Sequence, residues 1–287
     1  MSGFKTMLVA ASDQVTSRSP METAFLVGDA FGSHVKVMHV RTDPTSAVPL
    51  VGEGMSGAMV EEMIDAAEAQ SQERAAATKR TFEQLCSVRQ IEMAGEPPAT
   101  KLTATWREEV GREEDMIARC GRLYDLIVVG RPLPDRELPS IMTLNAGLME
   151  TGRPLLVAPP EPPAAIGRTI AVAWNGSAEA ARAIAMAMPF LHRAEKIIVL
   201  SAKEMDDAFL APSYMAGYLA WHGLAATSHT FPGAHNTGET LWNEVRASGA
   251  DMLVMGAYTH SRLRQLILGG VTRYMLHNAT IPLFLSH

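Results

Sequence analysis

Two glycines and a threonine near the C-terminus are the residues in this sequence best suited to chemistry. Gly269 and Gly270 precede a helical pattern, and Thr272 lies in its first turn. Adjacent glycines at a helix start leave backbone N–H groups unshielded at the positive end of the helix dipole, where phosphate is the usual ligand. The pattern therefore predicts a phosphate site here. The alternative interpretation is that the glycines only shape the loop that leads into the helix.

The elements that would position this site belong to a sequence that repeats itself. The apolar run Asp251–Gly256 lies 126 residues after the similar run Asp125–Gly130, and Pro282, at the start of the last strand pattern, lies 128 residues after Pro154. Similar offsets in matching order indicate a duplicated unit. In both halves strand patterns alternate with helical patterns, and most strands are apolar throughout, which predicts a parallel sheet covered on both faces.

The predicted fold is therefore α/β, with two tandem doubly wound parallel-sheet domains of five strands each. The proline-rich stretch at 159–167 is typical of a stiff linker. It places the first domain at residues 1–158 and the second at residues 168–287. Ligands in such sheets bind beyond the carboxyl ends of the strands. Asn175, Gly256 and Gly269 would meet at that edge of the second domain.

Composition and charge exclude several functional classes. The formal net charge is −6 and no stripe rich in Lys or Arg occurs, so we expect no nucleic-acid partner. No segment approaches the ~20 apolar residues that cross a bilayer. The N-terminal apolar run is too short for a signal peptide, so we expect a cytoplasmic protein with no membrane partner. His222, His229 and His235 lack the spacing and the Cys partners of a metal site, so none is predicted.

With these residues in view, the sequence resembles the universal stress protein family, in its tandem two-domain form, over nearly its whole length. Members that bind ATP carry a Gly, two residues, a Gly, nine residues, a Gly and then Ser or Thr, together with an Asp at the end of the first strand. Gly256 and Gly269 match the first and third positions. Thr259 stands at the second glycine, Gly270 at the Ser/Thr position and Asn175 at the Asp.

The resemblance implies an adenine-nucleotide-hydrolase-like fold and a stress-response protein that binds ATP in its second domain, with Mg²⁺ if ATP is bound. The residues expected to contact the nucleotide are Asn175, Gly256, Thr259, Gly269, Gly270, Val271 and Thr272. No residue resembles a general base aimed at a γ-phosphate, so at most slow hydrolysis is expected.

Two other functions remain open from the residues alone. One is an interaction scaffold in which both sites are degenerate and the long helical pattern at 58–87 offers a partner surface. The other is a binder of a different small molecule, held in an apolar pocket lined by Trp174, Tyr258 and Met255.

The first half keeps less of the nucleotide pattern. Counting back from Pro154 puts Ile141 and Met142 where the phosphate glycine and the hydroxyl would be, and Ser12 stands at the Asp position. Ile141 cannot offer the close backbone approach of a glycine. We expect this half not to bind ATP.

The first half is instead expected to pair with the second. Separate subunits of the family pair through their last strands, and the runs at 155–158 and 283–286 both resemble edge strands able to do so. Association of two chains into a homodimer remains a further option.

Two groups of charged residues can be interpreted from their positions in a helix and a loop. Glu113, with Glu114 and Asp115, fits the negatively charged first turn of a helix. Arg262, Arg264 and Arg273 flank the glycine motif and either neutralise a phosphate tail or are exposed loop charges.

Overall fold

Strands and helices alternate along the chain in the computed structural model, which describes residues 3–44, 57–133, 135–202, 211–233, 236–257 and 269–287. The strands are β1 (Thr6–Ala10), β2 (His34–Arg41), β3 (Thr103–Val110), β4 (Leu126–Gly130), β5 (Leu155–Ala158), β6 (Thr169–Ala173), β7 (Lys196–Ala202), β8 (Ala226–Phe231), β9 (Met252–Gly256) and β10 (Leu283–Ser286). The helices are α1 (Arg18–Phe31), α2 (Gly57–Arg89), α3 (Glu113–Cys120), α4 (Ile141–Met149), α5 (Ala178–Leu191), α6 (Pro212–Trp221), α7 (Thr237–Ala247) and α8 (Gly270–Asn278).

All of these strands belong to one sheet. Its order is β3-β2-β1-β4-β5-β10-β9-β6-β7-β8, so each half contributes five strands in the same internal order. Strands within each half pair in parallel. In each half the strand order reverses beside the first strand, which is the switch point of a doubly wound sheet. The predicted fold class is confirmed.

The two halves meet where β5 pairs with β10, and this is the antiparallel junction of the sheet. Phe284 lies opposite Leu156 across it. The predicted pairing of the last strands is therefore confirmed, and it occurs inside one chain. Since both of these edges are used internally, any association of two chains would have to use other surfaces.

The central strands β4, β5 and β10 are buried along their whole length because helices cover both faces of the sheet, whereas the outer strands β3 and β8 carry polar, exposed residues. Met7 and Val9 of β1 pack on one face, with residues of α1, α2, α5 and α6. Leu8 and Ala10 of the same strand pack on the other face, with residues of α3, α4, α7 and α8. Each cluster contains buried residues from both halves, so the two halves share their core.

Four phenylalanine rings hold the halves together near the junction. Phe4 and Phe31 come from the first half, and Phe190 and Phe284 from the second. The ring centroids of Phe4 lie 5.1 Å from Phe190 and 6.2 Å from Phe284. Those of Phe190 lie 5.3 Å from Phe31 and 5.9 Å from Phe284. These separations are in the favourable range for aromatic pairs, so the rings stabilise the junction beyond the area they bury.

A polar contact also crosses between the halves. Arg131, which follows β4, donates a hydrogen bond of 2.6 Å from a guanidinium N–H to the carbonyl oxygen of Ala279, the residue that ends α8. Partial burial lowers the pKa of Arg131. A cation at a helix C-terminus satisfies an otherwise unpaired carbonyl and opposes the helix dipole. The first half thus contacts the helix that carries the candidate site of the second.

None of the described helices combines the length and the apolar composition needed to cross a bilayer.

Candidate functional site

A cavity of about 160 Å³ opens in the second half, beyond the carboxyl ends of β6, β7 and β9. The described residues that line it are Ala173, Trp174, Asn175, Leu200, Ala202, Phe231, Thr237, Leu241, Met255, Gly256, Gly269, Gly270, Val271 and Thr272. Six of the seven predicted site residues are therefore brought together here. The seventh, Thr259, lies outside the described residues, as do Tyr258, Arg262 and Arg264.

The start of α8 forms one side of the cavity, and no described side chain caps it. Gly269 is its N-cap residue, with φ −54° and ψ 147°, and Gly270 is its first residue. A Cβ atom built on either glycine would meet nothing within 4 Å. Neither the backbone angles at Gly269 nor the described packing around the two residues therefore requires glycine. Because the two glycines have no side chains, neither of them covers the first N–H groups of the helix.

The hydroxyl group of Thr272 has no described hydrogen-bond partner. Thr272 is 5% exposed and lines the cavity. No described group forms a hydrogen bond with its side chain. The hydroxyl and the uncapped helix N-terminus together offer hydrogen-bond donors to a ligand in the cavity.

Asn175 has a structural role as well as a place in the cavity wall. Its Oδ1 accepts a hydrogen bond of 3.2 Å from the backbone N–H of Ser177. The Ser177 hydroxyl in turn accepts from the N–H of Ala180 at 3.1 Å and caps α5. Asn175 therefore shapes the turn between β6 and α5, and its side-chain oxygen is already engaged.

Gly256 is required by packing. A Cβ atom here would lie 2.6 Å from the backbone carbon of Glu179 and 2.9 Å from its Cβ, and it would also collide with the backbone nitrogen of Ala180. The start of α5 thus approaches β9 too closely for any other residue. The sequence pattern assigned Gly256 to ligand binding, whereas its contacts assign it to helix–strand packing.

We predict that Gly256→Ala destabilises the fold. The added methyl group must displace the backbone of α5, and overpacking of this kind costs about 1–3 kcal/mol. Urea unfolding followed by circular dichroism measures the loss. Gly270→Ala is the matched control, since its added methyl group meets no described atom. Equal stability of the two variants would contradict this interpretation.

The inner wall of the cavity is apolar. Trp174, Phe231, Leu241 and Met255 are each less than 9% exposed. None of the described lining residues carries a charged side chain. Trp174 and Met255 were predicted as walls of an apolar pocket, and the structure places both there. Thr237, the first residue of α7, also lines the cavity and was not anticipated, although its place in the sequence repeat could have indicated it.

The corresponding helix of the first half begins differently. Both α4 and α8 have nine residues, and their N-cap residues are Ser140 and Gly269. The Ser140 hydroxyl accepts a hydrogen bond of 3.0 Å from the N–H of Met142, so this helix start is capped by the protein itself. The prediction that aligned Ile141 with Gly269 was wrong by one residue, because the connection from helix to strand is one residue longer in the first half.

A carboxyl group lies at the equivalent place in the first half. Oε1 of Glu113 accepts hydrogen bonds from the Ser12 hydroxyl at 3.0 Å and the Thr143 hydroxyl at 2.8 Å. The residue is partly exposed, while its carboxyl group lies beneath the surface. Burial raises the pKa of Glu113, the two hydroxyl hydrogen bonds oppose this shift, and the nearby charges of Glu114 and Asp13 add to it.

The raised pKa of Glu113 predicts a pH-dependent stability. The folded state holds this proton more tightly than the unfolded state, in which a glutamate has a pKa of about 4.3. The contribution of Glu113 is therefore most favourable below that value and is lost as pH rises through the folded-state pKa. The side chain of Glu113→Gln stays neutral at every pH. We therefore expect the stability of this variant, relative to that of the wild type, to increase from pH 4 to pH 7, as measured by urea unfolding. Asp115→Asn, an exposed change in the same helix turn, is the control, and an equal gain in both variants would contradict the role of the buried carboxyl group.

The histidines considered for a metal site have other surroundings. Nε2 of His229 lies 3.1 Å from Oε2 of Glu244, and His235 lies outside the described residues. Within the part of the chain that the structure describes, no three His, Cys, Asp or Glu side chains are grouped so that they could hold a metal ion.

Comparison with known proteins relates this geometry to a family. The model of the universal stress protein family matches residues 220–287, which include β8, α7, β9, α8 and β10. A universal stress protein from Archaeoglobus fulgidus has a similar structure, with a TM-score of 0.66 and 15% identity, covering 98% of this chain and 95% of that one. A functionally unknown protein from Pseudomonas aeruginosa gives a TM-score of 0.56 and 14% identity, covering 99% of this chain and 92% of that one.

The structural matches support the fold of this chain but not its ligand. At 14–15% identity the two structural matches show the fold alone. A universal stress protein in complex with cAMP aligns with a TM-score of 0.29, which is too low to support any statement about the ligand of this chain. No curated protein matches the sequence.

Proposed function

This chain has the universal stress protein fold throughout and matches the family model in residues 220–287, and we propose that it binds an adenine nucleotide in its second half. In this proposal the phosphates lie at the start of α8 and the base enters the cavity beneath it. Binding then serves a regulatory role in a stress response, as the family resemblance implies. The proposal concerns binding and assigns no catalytic role.

The observation that carries the proposal is the start of α8 together with Thr272. No described side chain caps the helix N-terminus, and Gly269 and Gly270 carry no side chain that would cover it. Thr272, a largely buried residue that lines the same cavity, has a hydroxyl group with no described hydrogen-bond partner. N–H groups at the positive end of a helix dipole and a free hydroxyl are donors that suit phosphate oxygens. The first half lacks this arrangement because Ser140 caps its helix.

The volume of the cavity is large enough for a flat ring but too small for a whole nucleotide. Its volume of about 160 Å³ is close to that of an engineered apolar cavity of about 150 Å³ that binds benzene. A heterocyclic base can therefore lie between Trp174, Leu241 and Met255. The sugar and phosphates would extend toward α8 and the open side of the cavity.

The residues that line the cavity also determine how Mg²⁺ could be held and whether ATP could be hydrolysed. Among the described lining residues there is no carboxylate to hold Mg²⁺ and no acid–base group to activate water. Mg²⁺ would therefore be held mainly by the phosphates and water, as is common for this ion. We accordingly expect nucleotide to be bound and released without efficient turnover.

Calorimetric titration with MgATP tests the proposal, with Thr272→Val as the diagnostic variant. The substitution preserves shape but removes a hydrogen bond to a charged group, which is worth about 1.5–3 kcal/mol and corresponds to roughly a tenfold or greater loss of affinity. Thr143→Val is the matched control, because Thr143 is the third residue of α4 as Thr272 is of α8. Absence of binding at millimolar MgATP would refute the proposal, and equal effects of the two variants would refute the placement.

A second candidate ligand is a small anion with an apolar body. The apolar wall and the lack of charged lining side chains among the described residues favour it. Such a ligand would use the same donors at α8 and would fill the cavity without a sugar. Titration with an aromatic carboxylate beside MgATP distinguishes the two, since only this candidate predicts the tighter binding of the carboxylate.

A further inference from the structure

The two halves carry equivalent residues at three places around the candidate site. Ser12 lies two residues beyond β1, as Asn175 lies two residues beyond β6. Glu113 and Thr237 are the first residues of α3 and α7. Thr143 and Thr272 are the third residues of α4 and α8. The equivalence follows from position in the fold and does not depend on any ligand.

The same three places are arranged differently in the two halves. In the first half they are bonded to each other, because the Glu113 carboxyl group accepts hydrogen bonds from both Ser12 and Thr143. In the second half Asn175, Thr237 and Thr272 surround an open cavity. The chemical difference is the carboxyl group, which Thr237 does not have.

We propose that Glu113 is the built-in ligand of the first half, where its carboxyl group occupies an anion site that would otherwise take a small carboxylate from solution. A carboxylate oxygen can accept more than one hydrogen bond, and Oε1 of Glu113 accepts from both Ser12, after the end of β1, and Thr143, near the start of α4. The first half is thereby closed to outside anions by its own side chain. This inference goes beyond nucleotide binding in the second half.

The geometry explains why the two halves would differ in ligand binding despite their common fold. The donors of the first half are satisfied internally, and an outside anion would have to displace a tethered carboxyl group. A tethered group has a high effective concentration at its own site, so a free competitor is at a disadvantage. Removal of the side chain should therefore create a binding site without new donors being built.

Chemical rescue by formate tests the inference in a chain that carries Thr272→Val, so that the second half does not contribute. Glu113→Ala should bind formate saturably, and its Tm should rise by roughly 3 °C for each tenfold increase in formate above half-saturation. The parent chain and Glu113→Gln should show no such rise, with sodium chloride at equal ionic strength as the reference. Adding Thr143→Val to Glu113→Ala should abolish the response.

Two outcomes would overturn the inference. One is a formate response of Glu113→Ala no larger than that of Glu113→Gln, and the other is a response that persists when Thr143 is also replaced. If Glu113→Ala fails to fold, Glu113→Thr introduces the residue found at the equivalent place in the second half and is tested in the same way. Because the probe is formate and Thr272 is absent, the result is independent of whether the protein binds nucleotide.

Discussion

Replacing Phe284 by Ala is expected to destabilise the protein by about 3–5 kcal/mol, the usual cost of a large aromatic deletion in a core. Phe284 is fully buried on β10, between Leu156 of β5 and Val254 of β9. Its ring also contacts Phe4 and Phe190. The deletion leaves a cavity at the junction of the halves, where a continuous sheet leaves little freedom for the surroundings to collapse.

Urea unfolding followed by circular dichroism measures this loss. Phe284→Leu is the control, since it keeps most of the buried volume and should cost about 1–2 kcal/mol. A double-mutant cycle with Phe4→Ala should show coupling of about 0.5–3 kcal/mol, because the two rings are in contact. Additive effects of the two substitutions would mean that the rings do not join the halves energetically.

Replacing Gly269 by Leu is expected to abolish nucleotide binding while leaving the fold intact. The side chain would cover the uncapped start of α8 and deny the phosphates their N–H donors. Loss of at least two hydrogen bonds to a charged group, at about 1.5 kcal/mol or more each, predicts roughly a 100-fold or greater loss of affinity. The backbone angles at Gly269 suit any residue and the added Cβ meets no described atom. Stability should therefore stay within about 0.5 kcal/mol of the wild type.

Gly217→Leu provides the matched control for this experiment. Gly217 lies on α6, away from the cavity, and a Cβ atom there also meets nothing within 4 Å. The same chemical change should leave MgATP affinity unaltered in calorimetry. If Gly269→Leu binds nucleotide as the wild type does, the phosphates do not lie at the start of α8.

The candidate site shows which properties of its glycines the spacing pattern could predict. The glycine pattern placed Gly256 and Gly269 at one edge of the sheet, and both line the same cavity. It gave them the same role, however, and their surroundings differ. Gly256 is pressed against α5, whereas a Cβ atom at Gly269 would meet no described atom. A spacing pattern does not distinguish a glycine that packing requires from one whose missing side chain leaves the backbone uncovered.

The sequence by itself determined the repeat, the alternation of strands with helices and the start of α8. These features follow from local periodicity, apolar runs and the conformational preferences of Gly and Pro, which act over a few residues. Only the tertiary structure decided that Glu113 meets Ser12 and Thr143, that Phe284 joins Phe4, and that Thr272 is left without a described partner. Each of these depends on whether residues distant in the chain come into contact, and local pattern carries no information about that.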